Sequence, residues 1–260
     1  MMWFGFSPQP LAAALVLIAI LIWSIRNDGP EYRSFKVAAG TRERQAYFRR
    51  WLMKGIALYT LTPLAVLACL GRLEALIGAP DEFAAFRSVV EPSARTARDQ
   101  GFPPALVAGM LIAVVLGAVI AVAAARLFGG GKPKAIGDVE PMLPRNNEER
   151  RWLVALSLNA GVGEELFFRL LLPLLLMLGG IPLVISFAIA ALAFGAVHSY
   201  QGLAGVLATT LLAAFLSFLY LRTGLLWAVV LFHIVINLNG LILRPWLSGQ
   251  RGKNIGENAA

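Results

Sequence analysis

Glu164, Glu165 and Arg169 stand in an apolar run, GVGEELFFRLLLPLLL, and for the next 52 residues, Leu170 to Leu221, no Asp, Glu, Lys or Arg occurs. Ionised groups at membrane depth are costly unless paired, protonated or turned to a cavity, so they mark function by default. Glu165 and Arg169 are spaced i,i+4 and can pair on one helical face. Glu164 projects about 100° away from Glu165, and that pair leaves it free. The only two histidines also fall in apolar runs. His198 closes FGAVH with Phe194 one turn before it, and His233 opens HIVIN with Asn237 one turn after it.

One carboxylate, two imidazoles and a carboxamide on three helices are hard to explain as packing alone. They supply the parts for amide hydrolysis: a base to take a proton from water, an acid for the leaving amine and donors for the oxyanion. Glu165 with Arg169 reads as a structural ion pair. Ser157, Ser186, Ser199 and Ser217 lack a convincing Asp partner, and no GxSxG elbow is present. No HExxH helix occurs either. Glu164, His198 and His233 could nevertheless hold zinc with water in the fourth position. Buried Glu, His and Arg also line ion paths, so a transporter is a competing reading, as is a non-catalytic scaffold or immunity protein.

These residues need helices to carry them, and the composition supplies a membrane. The chain has 260 residues, 58% of them hydrophobic and 15% charged, with a mean hydropathy of +0.70. That is outside the soluble range and predicts an all-α, polytopic transmembrane bundle of about seven spans forming one domain over residues 1–260. The spans are expected at Pro8 to Ile25, Lys54 to Leu73, Gly101 to Ala125, Trp152 to Leu178, Ile181 to Val197, Leu203 to Leu221 and Gly224 to Leu243. The fourth has an alternative start at Glu148. Gly179, Gly180 and Pro182 mark one tight hairpin, and Arg222 to Gly224 another. The amino end lacks Lys and Arg before the first apolar stretch, so that stretch reads as a retained span.

Lys and Arg number eight over Arg26 to Lys54, four over Arg72 to Arg98, six over Arg126 to Arg151, one at Arg222 and three after Leu243. This alternation predicts the amino terminus outside and the carboxyl terminus in the cytoplasm, as for a bacterial inner membrane. It also assigns the excess charge of +8 to one membrane face and not to nucleic acid. The stretch Tyr32 to Gly55 reads either as an interfacial amphipathic segment or as a solvated basic loop running into a helix. Cys69 is the single cysteine and reads as core or lipid-facing packing.

With these residues in view, the sequence resembles the CAAX protease and bacteriocin-processing family, the CPBP, Abi or Rce1-like intramembrane proteases. EExxxR appears as Glu164 to Arg169, FxxxH as Phe194 to His198 and HxxxN as His233 to Asn237, in order and without departure. The resemblance covers a core of residues 156–241. It implies Glu164 as the residue that activates water, assisted by His198. His233 and Asn237 would stabilise the oxyanion, with Glu165, Arg169 and Phe194 in support. The implied substrate is a membrane-associated peptide or protein, of which a prenylated one is the best-known kind, met in the lipid bilayer. No metal is favoured, because the Asn237 carboxamide suits an oxyanion better than a metal ion.

Overall fold

A computed structural model describes residues 8–83 and 136–247, with isolated helical positions between 109 and 127. All regular elements among the described residues are helical. They are α1 (Pro8–Val37), α2 (Thr41–Gly55), α3 (Thr62–Cys69), α4 (Asn147–Glu165), α5 (Leu172–Leu178), α6 (Leu183–Val197), α7 (Gly202–Thr223), α8 (Leu226–Leu238) and α9 (Arg244–Leu247). Three π-helical turns, Ile56–Leu61, Leu166–Leu171 and Asn239–Leu243, join α2 to α3, α4 to α5 and α8 to α9 without a break in the rod.

Local chemistry accounts for the ends. Asn146 precedes α4 with extended backbone, and its carboxamide oxygen accepts from the Glu149 N–H at 2.9 Å. Glu148 and Glu149 then occupy the first turn, where the helix dipole favours negative charge. At the far end of α7, Gly224 takes a left-handed conformation, φ 70°, and its N–H donates to the Tyr220 carbonyl at 2.7 Å. Gly180, φ 89°, turns the chain between α5 and α6. Both hairpins therefore fall where the sequence marks them.

Among the described residues, four helices are long and apolar enough to cross a bilayer: Pro8–Val37, Thr41–Cys69, Ser199–Thr223 and Leu226–Leu247. This corrects the expectation of about seven spans. The expected span Gly101 to Ala125 lies largely outside the described residues. Helix α6 has 15 residues, about 22 Å of rise against a hydrocarbon core of roughly 30 Å. The rod from 147 to 178 carries at least three charged residues in every 18-residue stretch. It sits at the centre of the bundle, with Leu166 through Leu176 all buried. Glu149, Glu165 and Arg169 are thus enclosed by protein, whereas Glu148, Arg150 and Arg151 are exposed at the start of the rod. The protein is an integral membrane protein with several membrane-spanning helices.

The bundle has two distinct ends. At one, the start of α2 meets the start of α4: Arg44 Nε and Glu149 Oε1 are 3.1 Å apart, both side chains fully buried. Arg44 also donates to the carbonyls of Pro141 and Leu143 and lies over the Phe35 ring. Arg145 donates to the carbonyls of Ala38 and Ala39, and Lys36 pairs with Asp138 at 2.7 Å. Tyr32, Phe35, Phe48 and Leu153 form a small core beneath. The stretch Tyr32 to Gly55 is helical and not a loop: it ends α1 and forms α2, burying Tyr32, Phe35, Arg44 and Phe48 while Arg33, Arg42, Arg49 and Arg50 stay exposed. At the other end, Arg72 grips Glu82 through two nitrogens, at 2.9 and 2.7 Å, and the Trp227 indole donates to the Leu76 carbonyl at 2.7 Å. Cys69 is exposed near this end.

Candidate active site

Glu164 and Glu165 are the last two residues of α4, immediately before the π turn that carries Arg169. A π turn spaces backbone hydrogen bonds at i to i+5, so it resets which face the following residues present, and such turns concentrate at functional sites. Seventeen residues of helix precede Glu164 from the start of α4, about 26 Å at 1.5 Å per residue. The carboxylates therefore sit near the middle of the central rod.

Glu165 is fully buried and holds two partners. Its Oε2 lies 3.0 Å from Arg169 Nε, the pair expected from the i,i+4 spacing, and its Oε1 lies 2.6 Å from His233 Nδ1 on α8. The second contact was not legible in the sequence. Arg169 is also fully buried; its guanidinium lies 4.4 Å from the centre of the Phe194 ring, and its terminal nitrogens have no hydrogen-bond partner among the described residues. A cation over an aromatic face gains on the order of 1–2 kcal/mol when desolvated, which offsets part of that burial. Phe194 also packs edge-on against Phe168 at 5.3 Å and His233 at 5.9 Å. One phenylalanine thus braces the arginine and both histidines.

His198 follows the last residue of α6, and its Nδ1 lies 2.7 Å from the Phe194 carbonyl oxygen. A proton on Nδ1 donates to that oxygen and leaves Nε2 as the lone-pair atom of the ring. The Phe194 and His198 rings are 4.7 Å apart. Glu164 differs from its neighbour: its Oε2 makes no hydrogen bond, and the nearest ionisable partner is His233 Nε2 at 3.8 Å. That distance is too long for a direct bond.

Glu164, Phe194, His198, His233 and Asn237 all line one cavity of about 470 Å³. Helices α1, α2, α4, α6, α7, α8 and α9 all contribute to its walls, as do Ile136, Val139 and Met142. The sequence reading missed Asp28 and Lys54, which pair with each other on the cavity wall, and Tyr59, Asn159, Tyr200 and Asn239, which also line it. Tyr59 and Asn159 each interrupt an apolar run with a polar atom, a signal too common to isolate them.

Residues 147–239, from the first residue of α4 to the start of the last π turn, match the family described as type II CAAX prenyl endopeptidase Rce1-like. The chain carries an Rce1-like domain. It therefore contains a domain of a protease family, with a buried His and Glu cluster of the kind an intramembrane peptidase needs. No curated protein and no solved structure matches the chain. The match takes in all three motifs and about a third of the chain, and leaves α1, α2 and α3 outside.

Zinc can be tested on the donors themselves. Among the described residues of the chain no three His, Cys, Asp or Glu side chains converge as a ligand set. His233 engages Glu165, and His198 a backbone carbonyl, through Nδ1 alone, so it is the absence of a converging ligand set among the described residues that speaks against a zinc site, and no step below is routed through a metal.

Proposed function

We propose that the chain is an endopeptidase of membrane-associated peptides in which Glu164 is the general base. The observation that carries this reading is the Glu164 carboxylate, unbonded at Oε2, 3.8 Å from His233 Nε2 in the cavity that His198 and Asn237 also line. Glu164 takes a proton from water as the water oxygen bonds to the scissile carbonyl carbon, and the carbonyl electron pair moves onto its oxygen. His198, its lone pair free at Nε2, helps to orient that water. The Asn237 carboxamide donates to the oxyanion, as does His233 from Nε2 when both its ring nitrogens carry protons. Collapse of the tetrahedral species breaks the C–N bond, and the proton on Glu164 passes to the leaving nitrogen. Products are a carboxylic acid and an amine.

Glu165 and Arg169 act at one remove, through His233 and Phe194. The catalytic core extends over residues 156–241 of a single membrane domain of residues 1–260. A membrane-associated substrate, prenylated proteins among them, suits a cavity reached from within the bundle. The same alternation of basic segments that gathers α1, α2 and α4 ends on one side supports an amino terminus outside and a carboxyl terminus in the cytoplasm, in a bacterial inner membrane.

The deciding experiment compares membranes holding wild-type protein with membranes holding Glu164→Ala, by substrate-trapping proteomics followed by cleavage of the trapped protein. Wild type should cleave it, and Glu164→Ala should bind without cleaving while remaining folded. Cleavage by purified Glu164→Ala would remove Glu164 from the mechanism.

A further inference from the structure

Tyr59 lies outside the matched region and outside all three motifs, yet it lines the cavity with Glu164, His198 and His233. A close helix crossing puts it there. Gly163 has no side chain, and a Cβ at that position would meet the Tyr59 Cβ at 3.0 Å and the Tyr59 carbonyl carbon at 3.1 Å. One turn earlier on each helix, Gly55 faces the Asn159 carboxamide in the same way. The backbone of residue 59 is thus pressed against the residue before Glu164. The Tyr59 ring is then fixed edge-on to Phe167, centroids 5.5 Å apart, and tilted on Phe168 at 5.6 Å.

These contacts account for a ring but not for its hydroxyl, which makes no hydrogen bond to any described residue. Tyr59 is half-buried on the cavity wall, so its hydroxyl is open to a partner from within the site. The ionisable groups that act on it are Glu164, Asp28 and Tyr200. Asp28 is engaged by Lys54 and by the Ser24 hydroxyl, and the Tyr200 oxygen accepts from Gln201 at 3.1 Å. Of these three, only Glu164 offers an unused acceptor, at Oε2; Asn239 Oδ1 and Ser157 Oγ are the unbonded oxygens of un-ionised groups on the same wall.

We propose that Tyr59 is a positioning residue: its hydroxyl donates to the Glu164 carboxylate in the working site and sets the direction in which that carboxylate takes its proton. The two groups are unbonded in the present arrangement, so the contact forms by side-chain rotation across the cavity. It requires no metal and no second chain. The inference rests on the reading of Glu164 as base.

The test uses the full chain in detergent, labelled with 3-fluorotyrosine, with the residue 59 resonance identified by its loss in Tyr59→Phe. That resonance should shift in Glu164→Gln and hold still in Asp28→Asn. A resonance that follows Asp28→Asn alone, or neither substitution, overturns the proposal without any assay of activity. A second arm measures turnover of an internally quenched peptide bearing a prenylated cysteine. Loss of a hydrogen bond to a charged group should lower kcat about tenfold in Tyr59→Phe, with KM unchanged. Wild-type turnover in Tyr59→Phe alongside an inactive Glu164→Ala sinks the inference and spares the base. An active Glu164→Ala sinks the reading of the base itself, whereas the fluorine shift still judges the contact.

Discussion

Glu165 Oε1 and His233 Nδ1 lie 2.6 Å apart in the fully enclosed centre of the bundle, joining the end of α4 to the middle of α8 across 68 positions of sequence. The same carboxylate holds Arg169 through its other oxygen at 3.0 Å. Glu165 is therefore the hinge of the site: it neutralises a buried guanidinium and aims an imidazole at Glu164.

Replacing Glu165 by Gln should separate those two jobs. The amide can still meet His233, but Arg169 is left as a buried cation without a counter-charge. Breaking one member of a buried pair costs about 3–5 kcal/mol. Thermal unfolding in detergent should show Glu165→Gln strongly destabilised and Glu165→Gln with Arg169→Met recovered toward wild type. Recovery of stability without recovery of cleavage would separate the charge-balancing role from the orienting one.

Arg44 and Glu149 tie α2 to α4, and both are fully buried. Glu149→Gln should destabilise by a similar amount, about 3–5 kcal/mol. Its Oε2 also accepts from the Arg145 N–H at 3.0 Å, so the segment over the cavity end loses an anchor. Limited proteolysis near Arg145 should accelerate in this variant. An unchanged digestion rate would show that Arg44 and the Asn146 cap hold the segment unaided.

The candidate constellation was legible because charge and imidazole are rare in apolar runs, and spacing alone placed Glu165 with Arg169. What the sequence could not show was depth. The expected span Trp152 to Leu178, with three charges, looks like an awkward membrane crossing, whereas here other helices enclose Glu165 and Arg169, and Glu165 meets His233 on α8. Arg44, Glu149, Asp28 and Lys54 were illegible for the reverse reason: in a basic, charge-rich stretch each looks solvated, and only the return of the chain 100 or so positions later buries Arg44 against Glu149. Tyr59 was hidden because an aromatic residue in an apolar run is ordinarily packing.

The Arg72 and Glu82 pair, away from the site, gives a pH prediction. Arg72, forked onto Glu82, holds the Glu82 carboxyl below its ordinary value of 4.5. A carboxyl lowered by folding adds stability that is present above the unfolded pKa and lost as pH falls through the lower folded value. Glu82→Gln should therefore be less stable than wild type at neutral pH, and the gap should close on acidification below pH 4.5. The matching rise in Arg72 acts only at strongly alkaline pH and leaves this window untouched. Denaturation midpoints of both proteins across acid pH are the measurement, and a gap independent of pH would count against the pair.

The helix crossing at Gly163 offers a clear contrast with Gly240. A methyl group at residue 163 would come within 2.7 Å of the Thr60 hydroxyl and 3.1 Å of the Tyr59 backbone, whereas one at residue 240 would meet nothing within 4 Å. Backbone cannot yield as a flexible side chain does, so Gly163→Ala must push α2 and α3 away from α4. Overpacking of this kind costs about 1–3 kcal/mol, and here it also carries Tyr59 away from Glu164. Gly240→Ala should instead be neutral or slightly stabilising, since alanine favours helix over glycine. Both variants are measured by thermal unfolding and by turnover on one substrate. Gly163→Ala should lose activity by more than its stability loss explains, because wild-type packing of residue 59 against residue 163 is what brings the phenol to the base. Equal behaviour of the two variants would show that the crossing is loose and that Tyr59 is not held beside Glu164.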